Sequence, residues 1–357
     1  MINVTKTFLP PQDEYQAILK RAWGTGWVTN RGVLVQELEQ KLKDYLGVAN
    51  ILAMTNGTLP LQIAIKALGL KGEIITTPFS YVATTSSIVW EGCTPVFVDI
   101  HPGYLTIDET KIEAAITSKT SAILATHVFG NPCAIEVIEN IAKKHHLKVI
   151  YDAAHCFGVQ YKGQSIFNYG DMSTCSFHAT KLFHTGEGGA IVFKDDTLYN
   201  DLYYRHNFGH KGNEDFFGLG INAKMSELQA AMGLALFPHL DSILEARRFI
   251  VDFYNTQLQD TNLKFLKLRG HTNWNYSYYP IIFNNETQLL KVVKALNAAD
   301  IFPRRYFYPS LDNLPYIKNQ HCEISNRIGS SILCLPLYHD LIEKQQIRIV
   351  ELIKVHL

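Results

Sequence analysis

The chain has 357 residues, 47% of them hydrophobic, and its 33 lysines and arginines balance 33 aspartates and glutamates. A chain of this length can bury a large core and is expected to divide into two domains. The charge balance leaves no overall field to draw nucleic acid or an acidic membrane, and with no apolar run of 18 residues and no apolar signal core in MINVTKTFLPPQDEYQ, neither a membrane span nor export is expected.

Leu34, Leu38, Leu42 and Tyr45 recur at helical spacing and stop at Gly47, a residue suited to a helix end. ILAM (51–54) reads as a strand, TNGT as a turn and LPLQIAIKAL as a helix. The alternation continues through EIITT (73–77), a helical SYVATTSSIVWEG, PVFVDI (95–100), SAILATHV (121–128), a helix over 134–146 and KVIYDAA (148–154). MSTCSF and AIVF follow as further strand-like runs. Strands separated by helical patterns predict βαβ units and a mostly parallel sheet covered on both faces. Near Phe237 the character changes: HLDSILEARRFIVDFYNTQL predicts a connecting helix, and NYSYYPIIF, QLLKVVKALNAAD and ILCLPLY a smaller α+β domain. The expected division is a large domain over 1–237 and a small one over 238–357, with roughly the first 20 residues free to pack on the small one. The six cysteines (93, 133, 156, 175, 322, 334) form no C-x-x-C pair, which suits reduced, buried thiols of a cytoplasmic protein.

Lys181 lies between a strand-like run and the Gly-rich Gly186-Glu187-Gly188-Gly189. A cation so placed is poorly solvated, which lowers an ammonium pKa and frees the amine as a nucleophile toward carbonyls. Asp152 ends KVIYD, and the carboxyl ends of strands in open α/β sheets face a ligand crevice; it suits either a partner for a protonated ring nitrogen or a turn cap. Thr55-Asn56-Gly57-Thr58 lies between a strand and a helix, where free amides, a hydroxyl and a glycine can cradle a phosphate or simply cap the helix. The Ser176 and Thr180 hydroxyls can add to that cradle. Tyr81 can lie over a bound ring or belong to the core, and His155 can stack or hydrogen-bond in the crevice but lacks the clustered partners of a metal ligand. Gly186–Gly189 is no dinucleotide loop, since G-x-G-x-x-G is missing and a strand follows it. An NAD-dependent enzyme is therefore not expected.

In order along the chain, GWVTNRGVLVQELE, TNGT, TPFSYVAT, YDAAHCFG, SFHATKLFHTGEGG, NAKMSELQAAMG, RRYFYPSL and LCLPLY resemble the DegT/DnrJ/EryC1/StrS sugar aminotransferases. The resemblance spans nearly the whole chain, and its most specific piece is the segment around Lys181. It implies a fold-type-I, α/β aminotransferase scaffold and pyridoxal 5′-phosphate as cofactor. Lys181 becomes the Schiff-base lysine and Asp152 the partner of the pyridine nitrogen. Tyr81 resembles the ring-stacking residue, Gly57, Thr58 and Ser176 the phosphate cradle, and His155 a cofactor contact. Asn222 resembles a residue that reaches the phosphate from a partner subunit, implying a homodimer with shared sites; Lys224 stands where many relatives have arginine. Related sugar dehydratases carry histidine in place of the lysine, so Lys181 argues for transamination.

The resemblance also implies a ping-pong reaction with L-glutamate as amino donor and a nucleotide-linked ketosugar as acceptor. The segment Pro303–Pro309, with Arg305 and Tyr306, is similar to the subgroup acting on C4 of dTDP-4-keto-6-deoxy-D-glucose. C3-aminating and UDP-sugar 4-aminating relatives are the rivals, and a non-catalytic cofactor-binding regulator is a rival of another class. Thr29, Asn30, Arg31 and His184 complete the expected substrate contacts, an arginine being suited to a pyrophosphate.

Overall fold

The structure, a computed structural model, describes residues 1–318 and 320–357. At its centre lie seven strands: β1 (Asn50–Met54), β2 (Glu73–Thr76), β3 (Thr94–Phe97), β4 (Thr120–Thr126), β5 (Lys148–Asp152), β6 (Met172–Ser176) and β7 (Gly189–Phe193). Their order across the sheet is β1-β7-β6-β5-β4-β2-β3. Pairing is parallel from β6 through β3, and only β7 runs antiparallel to both neighbours.

Helices α1 (Gln12–Thr25), α2 (Val33–Leu46), α3 (Leu59–Ala67), α4 (Val82–Trp90) and α5 (Ile135–His145) belong to this domain. Strand alternation splits β1 between two cores: Ile51 and Ala53 pack with Leu34, Leu38 and Leu42 of α2, while Leu52 and Met54 pack with Leu61 of α3 and Ile88 of α4. With both faces covered, β6 and β7 are buried along their whole length, as parallel-type strands require. α2 stops at Gly47, whose backbone is left-handed at φ 62° and whose N–H returns to the Lys43 carbonyl.

Two helices follow, α6 (Glu227–Leu236) and α7 (Leu240–Leu258), and then a three-stranded antiparallel sheet of β8 (Lys264–Phe265), β9 (Tyr279–Ile282) and β10 (Ile332–Leu335). Helices α8 (Glu286–Ala298), α9 (Glu323–Ser331) and α10 (Glu343–His356) complete this part. The cores change over inside α7: Leu240 and Ile243 pack in the first, Ile250, Tyr254 and Leu258 in the second. The N-terminal segment is shared. Ile2 and Asn3 pair in parallel with Ile301 and Phe302, and Val4 O accepts from Leu337 N, whereas α1 lies against α6.

Polar contacts bind the two domains directly. The Asp99 carboxylate, just beyond β3, accepts from Ile324 N and Ser325 N at 2.8 Å each and so caps α9. Gln320 bridges the Phe97 N–H (2.7 Å) and the Pro95 carbonyl (2.9 Å). Trp274 Nε1 donates to Phe129 O at 2.7 Å, and the Asn275 amide donates to His155 O and Phe157 O at 2.9 Å each. Among the described residues no helix is long and apolar enough to cross a membrane.

Candidate active site

The carboxyl ends of β5 and β6 bring Asp152, which pairs with Thr174, and Ser176 two residues further on to one rim, and the turn after β1 brings residues 55–58 to the same rim. They open on a cavity of about 380 Å³, lined also by Tyr81, His155, Lys181 and, from the small domain, Tyr278, Arg304 and Tyr306. This is the crevice beyond the strand ends that the sheet topology anticipates. No group of three or more His, Cys, Asp or Glu side chains that could hold a metal occurs among the described residues.

Lys181 lies in the turn after β6, its N–H bonded to His178 O at 2.8 Å and its Nζ 5.7 Å from the centre of the Tyr278 ring. Its side chain keeps partial access to the cavity, yet desolvation dominates and pulls its pKa from 10.5 down to about 8, against the opposing pull of Asp152. A free amine therefore exists near neutral pH. Asp152 is buried; burial pushes its carboxyl above the usual range, while the Thr84 hydroxyl (2.6 Å), the Ala154 N–H (3.1 Å) and Lys181 pull it back. The site is short of positive charge at this carboxylate, which a protonated ring nitrogen would supply.

The residues also suit a phosphate. A Cβ on Gly57 would lie 2.8 Å from Ser176 Cβ and 3.0 Å from its Oγ, so only glycine leaves that hydroxyl open. Ser176 Oγ accepts from His178 N at 3.4 Å and keeps its own proton to donate. Asn56 Oδ1 takes the Thr58 and Leu59 N–H groups at 2.9 Å each, capping α3. Tyr81 is the N-cap residue of α4 and is 58% exposed, its ring free to cover a planar ligand. The set fits pyridoxal 5′-phosphate: an amine, an anion, a ring face and hydroxyls on one cavity.

His155 is buried beside Phe129 and Phe307, its ring within 13° of parallel to both. Its Nδ1 accepts from Phe129 N at 3.1 Å, which puts the ring proton on Nε2. Burial, then Lys181, hold its pKa well below 6.5, so it presents a neutral N–H donor. Tyr278 is fixed from behind by Arg247, which is buried and donates to Tyr276 O (2.9 Å) and Ser277 O (2.6 Å).

Not every expected residue reaches the cavity. Thr29 and Asn30 are exposed away from it, and Arg31 is committed to buried Glu39, with Nε and Nη2 at 2.8 and 2.7 Å from Oε2. His184 is buried with both nitrogens satisfied, by Phe8 O (2.6 Å) and Gly186 N (3.2 Å). Arg305 turns to Glu286 (2.6 Å) and Ser330 O (2.9 Å), while its neighbour Arg304 lines the cavity and has no ion pair among the described residues. Tyr306 lines the cavity as expected of a substrate contact, and Asn222 is exposed outside this chain's own cavity. Arg304, Tyr278 and Thr84 were not singled out from the sequence. Thr84 had a signal, a polar residue one turn after Tyr81 at the start of the helix that follows it. Nothing in the sequence decides which of two adjacent arginines points inward.

The chain is 43% identical over 347 residues, 95% of each chain, to a dTDP-4-amino-4,6-dideoxy-D-glucose transaminase of Shigella dysenteriae. It is 39% identical over 99% of this chain and 98% of the relative to a transaminase of the same name from Escherichia coli. The solved structure of DesI in the presence of its TDP-sugar product superposes with a TM-score of 0.94 at 31% identity, over 99% of this chain and 92% of that one. The family model for these aminotransferases matches residues 11–354. With its lysine, aspartate and hydroxyl cradle gathered on one cavity, the chain belongs to the DegT/DnrJ/EryC1/StrS aminotransferase family.

Proposed function

We propose that the chain moves the amino group of L-glutamate to C4 of dTDP-4-keto-6-deoxy-D-glucose, giving dTDP-4-amino-4,6-dideoxy-D-glucose for O-antigen or another cell-surface polysaccharide such as lipopolysaccharide. Lys181 facing Asp152 on one cavity carries the reaction class. The sugar rests on the likeness to the two named transaminases, which extends over nearly the whole chain. All six cysteines are free and buried, which suits the reducing cytoplasm.

Bound in the cavity, pyridoxal phosphate supplies an electron sink that lets an amino group pass between two carbon skeletons. Lys181 Nζ would hold the cofactor and, once free, would take and return a proton; a pKa of about 8 suits both tasks. Asp152 holds the ring nitrogen protonated, and Tyr81 covers the ring. Thr58 and Ser176 bind the phosphate, joined by Asn222 of a second copy. His155 donates from Nε2, and Arg304, a cation at the rim, orients the carboxylate or pyrophosphate of an incoming substrate. Exposed Trp23 (64%), Trp90 (82%), Phe216 (63%) and Leu219 (66%) are large apolar side chains of the kind a homodimer interface covers.

The test offers the cofactor-loaded protein L-glutamate and a panel of dTDP- and UDP-ketosugars, with the product's amine position fixed by NMR. The expected product carries nitrogen at C4 of the dTDP sugar, and Lys181→Ala abolishes turnover. A C3 amine or a preference for UDP sugars would refute the substrate. Cofactor binding without consumption of glutamate would mark a regulator instead.

A further inference from the structure

Behind Asp152, away from the cavity, three hydroxyls form a chain. Thr84 Oγ1 lies 2.6 Å from Asp152 Oδ2, Ser80 Oγ 2.7 Å from Thr84 Oγ1, and Thr126 Oγ1 3.0 Å from Ser80 Oγ. All three residues are buried, and none lines the cavity. They come from three places: Ser80 from the turn before α4, Thr84 from its first turn, and Thr126 from the end of β4, where it pairs with Asp152 in the parallel ladder.

Each hydroxyl has a single proton. An ionised Asp152 only accepts, so Thr84 spends its proton on Oδ2. Ser80 must then donate to Thr84, and Thr126 to Ser80. One proton arrangement satisfies the chain, and in it every O–H dipole points its positive end toward the carboxylate. Hydrogen bonds aligned in this way strengthen one another in a water-free setting, and because they are already oriented they need no reorganisation during reaction. Among the described residues Oδ1 accepts from Ala154 N alone, so the two oxygens differ: one is fixed from behind, the other keeps a lone pair for the cavity side.

We infer that Thr84, backed by Ser80 and Thr126, is a positioning residue that keeps the Asp152 carboxylate anionic and in one rotamer, and thereby sets how firmly the cofactor's ring nitrogen holds its proton. The inference rests on the cofactor assigned above. The same network explains why α4 carries a threonine at position 84, where the helix is fully buried. Burial alone would favour the protonated acid, and the Thr84 hydroxyl is the largest opposing influence on it.

The test compares wild type, Thr84→Val, which removes the donor at nearly constant shape, Thr84→Ser, which keeps it, and Ser80→Ala, one link further back. Cofactor-free protein is titrated with pyridoxal phosphate, and the pH midpoint of the bound cofactor's visible absorbance is then measured. Thr84→Val is expected to weaken binding roughly tenfold and move the midpoint by about half a unit or more, while Thr84→Ser stays within about twofold of wild type. Ser80→Ala shifts the midpoint in the same direction by less, and reports on the chain even should Thr84→Val fail to fold. A wild type that takes up no pyridoxal phosphate overturns the cofactor assignment and this inference together. A wild type that binds it, with Thr84→Val matching its affinity and midpoint, overturns the inference alone, as does a lowered melting temperature with an unmoved midpoint.

Discussion

Gly57→Ala tests the phosphate cradle at its tightest point. The new Cβ would meet Ser176 Cβ at 2.8 Å, and since carbon–carbon contact is comfortable from about 3.5 Å, the overlap is roughly 0.7 Å. Rotating the serine hydroxyl does not relieve it, because Ser176 Cα is also near, at 3.3 Å. Ser176 itself cannot retreat, being the last residue of β6 and paired with Gly189 of β7. Nor does the substitution strain the backbone, for Gly57 is not among the left-handed residues. The turn of residues 55–58 must therefore move, and overpacking of this kind costs about 1–3 kcal/mol. Should that displacement fall on the phosphate contacts, cofactor affinity drops roughly 10- to 100-fold. Moving the glycine across the contact, in Gly57→Ala/Ser176→Gly, removes the overlapping atoms. The double variant should then be less destabilised than the sum of the singles by about 1 kcal/mol or more. Urea unfolding of the cofactor-free proteins measures the cycle, and absorbance titration measures the affinity. Strictly additive stabilities together with wild-type affinity in Gly57→Ala would refute the packing account.

Lys181 predicts the pH dependence of cofactor uptake. Only the free amine attacks the aldehyde, so the capture rate by cofactor-free protein should fall about tenfold per unit below pH 8 and level off above it, as stopped-flow absorbance can follow. A rate independent of pH between about 6 and 9 would contradict this. Acid stability is set partly by histidines held neutral in the fold: burial lowers the pKa of His127 to about 3 and of His206 to about 4. Because the folded values lie below the unfolded 6.5, the unfolded chain binds protons the native one does not. Their contribution is complete above pH 6.5 and is lost as pH falls, by about 1.4 kcal/mol per unit for each histidine. His127→Asn should flatten the decline in urea midpoint between pH 6.5 and 4.5 relative to wild type, and an unchanged slope would count against the assignment.

The large sheet and the lysine–aspartate pair were legible in the sequence because each depends on local pattern. A strand buried on both faces is commonly an apolar run, as in GAIVF and the VIY that leads to Asp152, and the end of such a run locates the crevice. What escaped was whatever depends on side-chain direction. Arg31 has the chemistry of a pyrophosphate contact but lies just before α2, eight residues ahead of Glu39, whose buried carboxylate claims it. Arg304 and Arg305 differ by one residue in an extended segment, where successive side chains point to opposite sides. The backbone of Arg304 pairs with Cys334, and that register, set by β10 some thirty positions away, turns Arg304 to the cavity and Arg305 to Glu286. Long-range register cannot be read from neighbouring residues. The handover between cores inside α7 escaped for a similar reason, since one continuous helical pattern serves both domains.

The carboxylate of Asp99 on the first turn of α9, with the Gln320 and Asn275 bridges beside it, makes the meeting of the two domains a fixed joint. Swinging them apart would strand a helix end and several backbone groups without partners in a region that excludes water. A cleft built on such a joint resists changes of shape that pull these groups apart. Discrimination between sugars then leans on fit to the walls around Tyr278, Arg304 and Tyr306, and a mutation that widens substrate range is expected to reshape them.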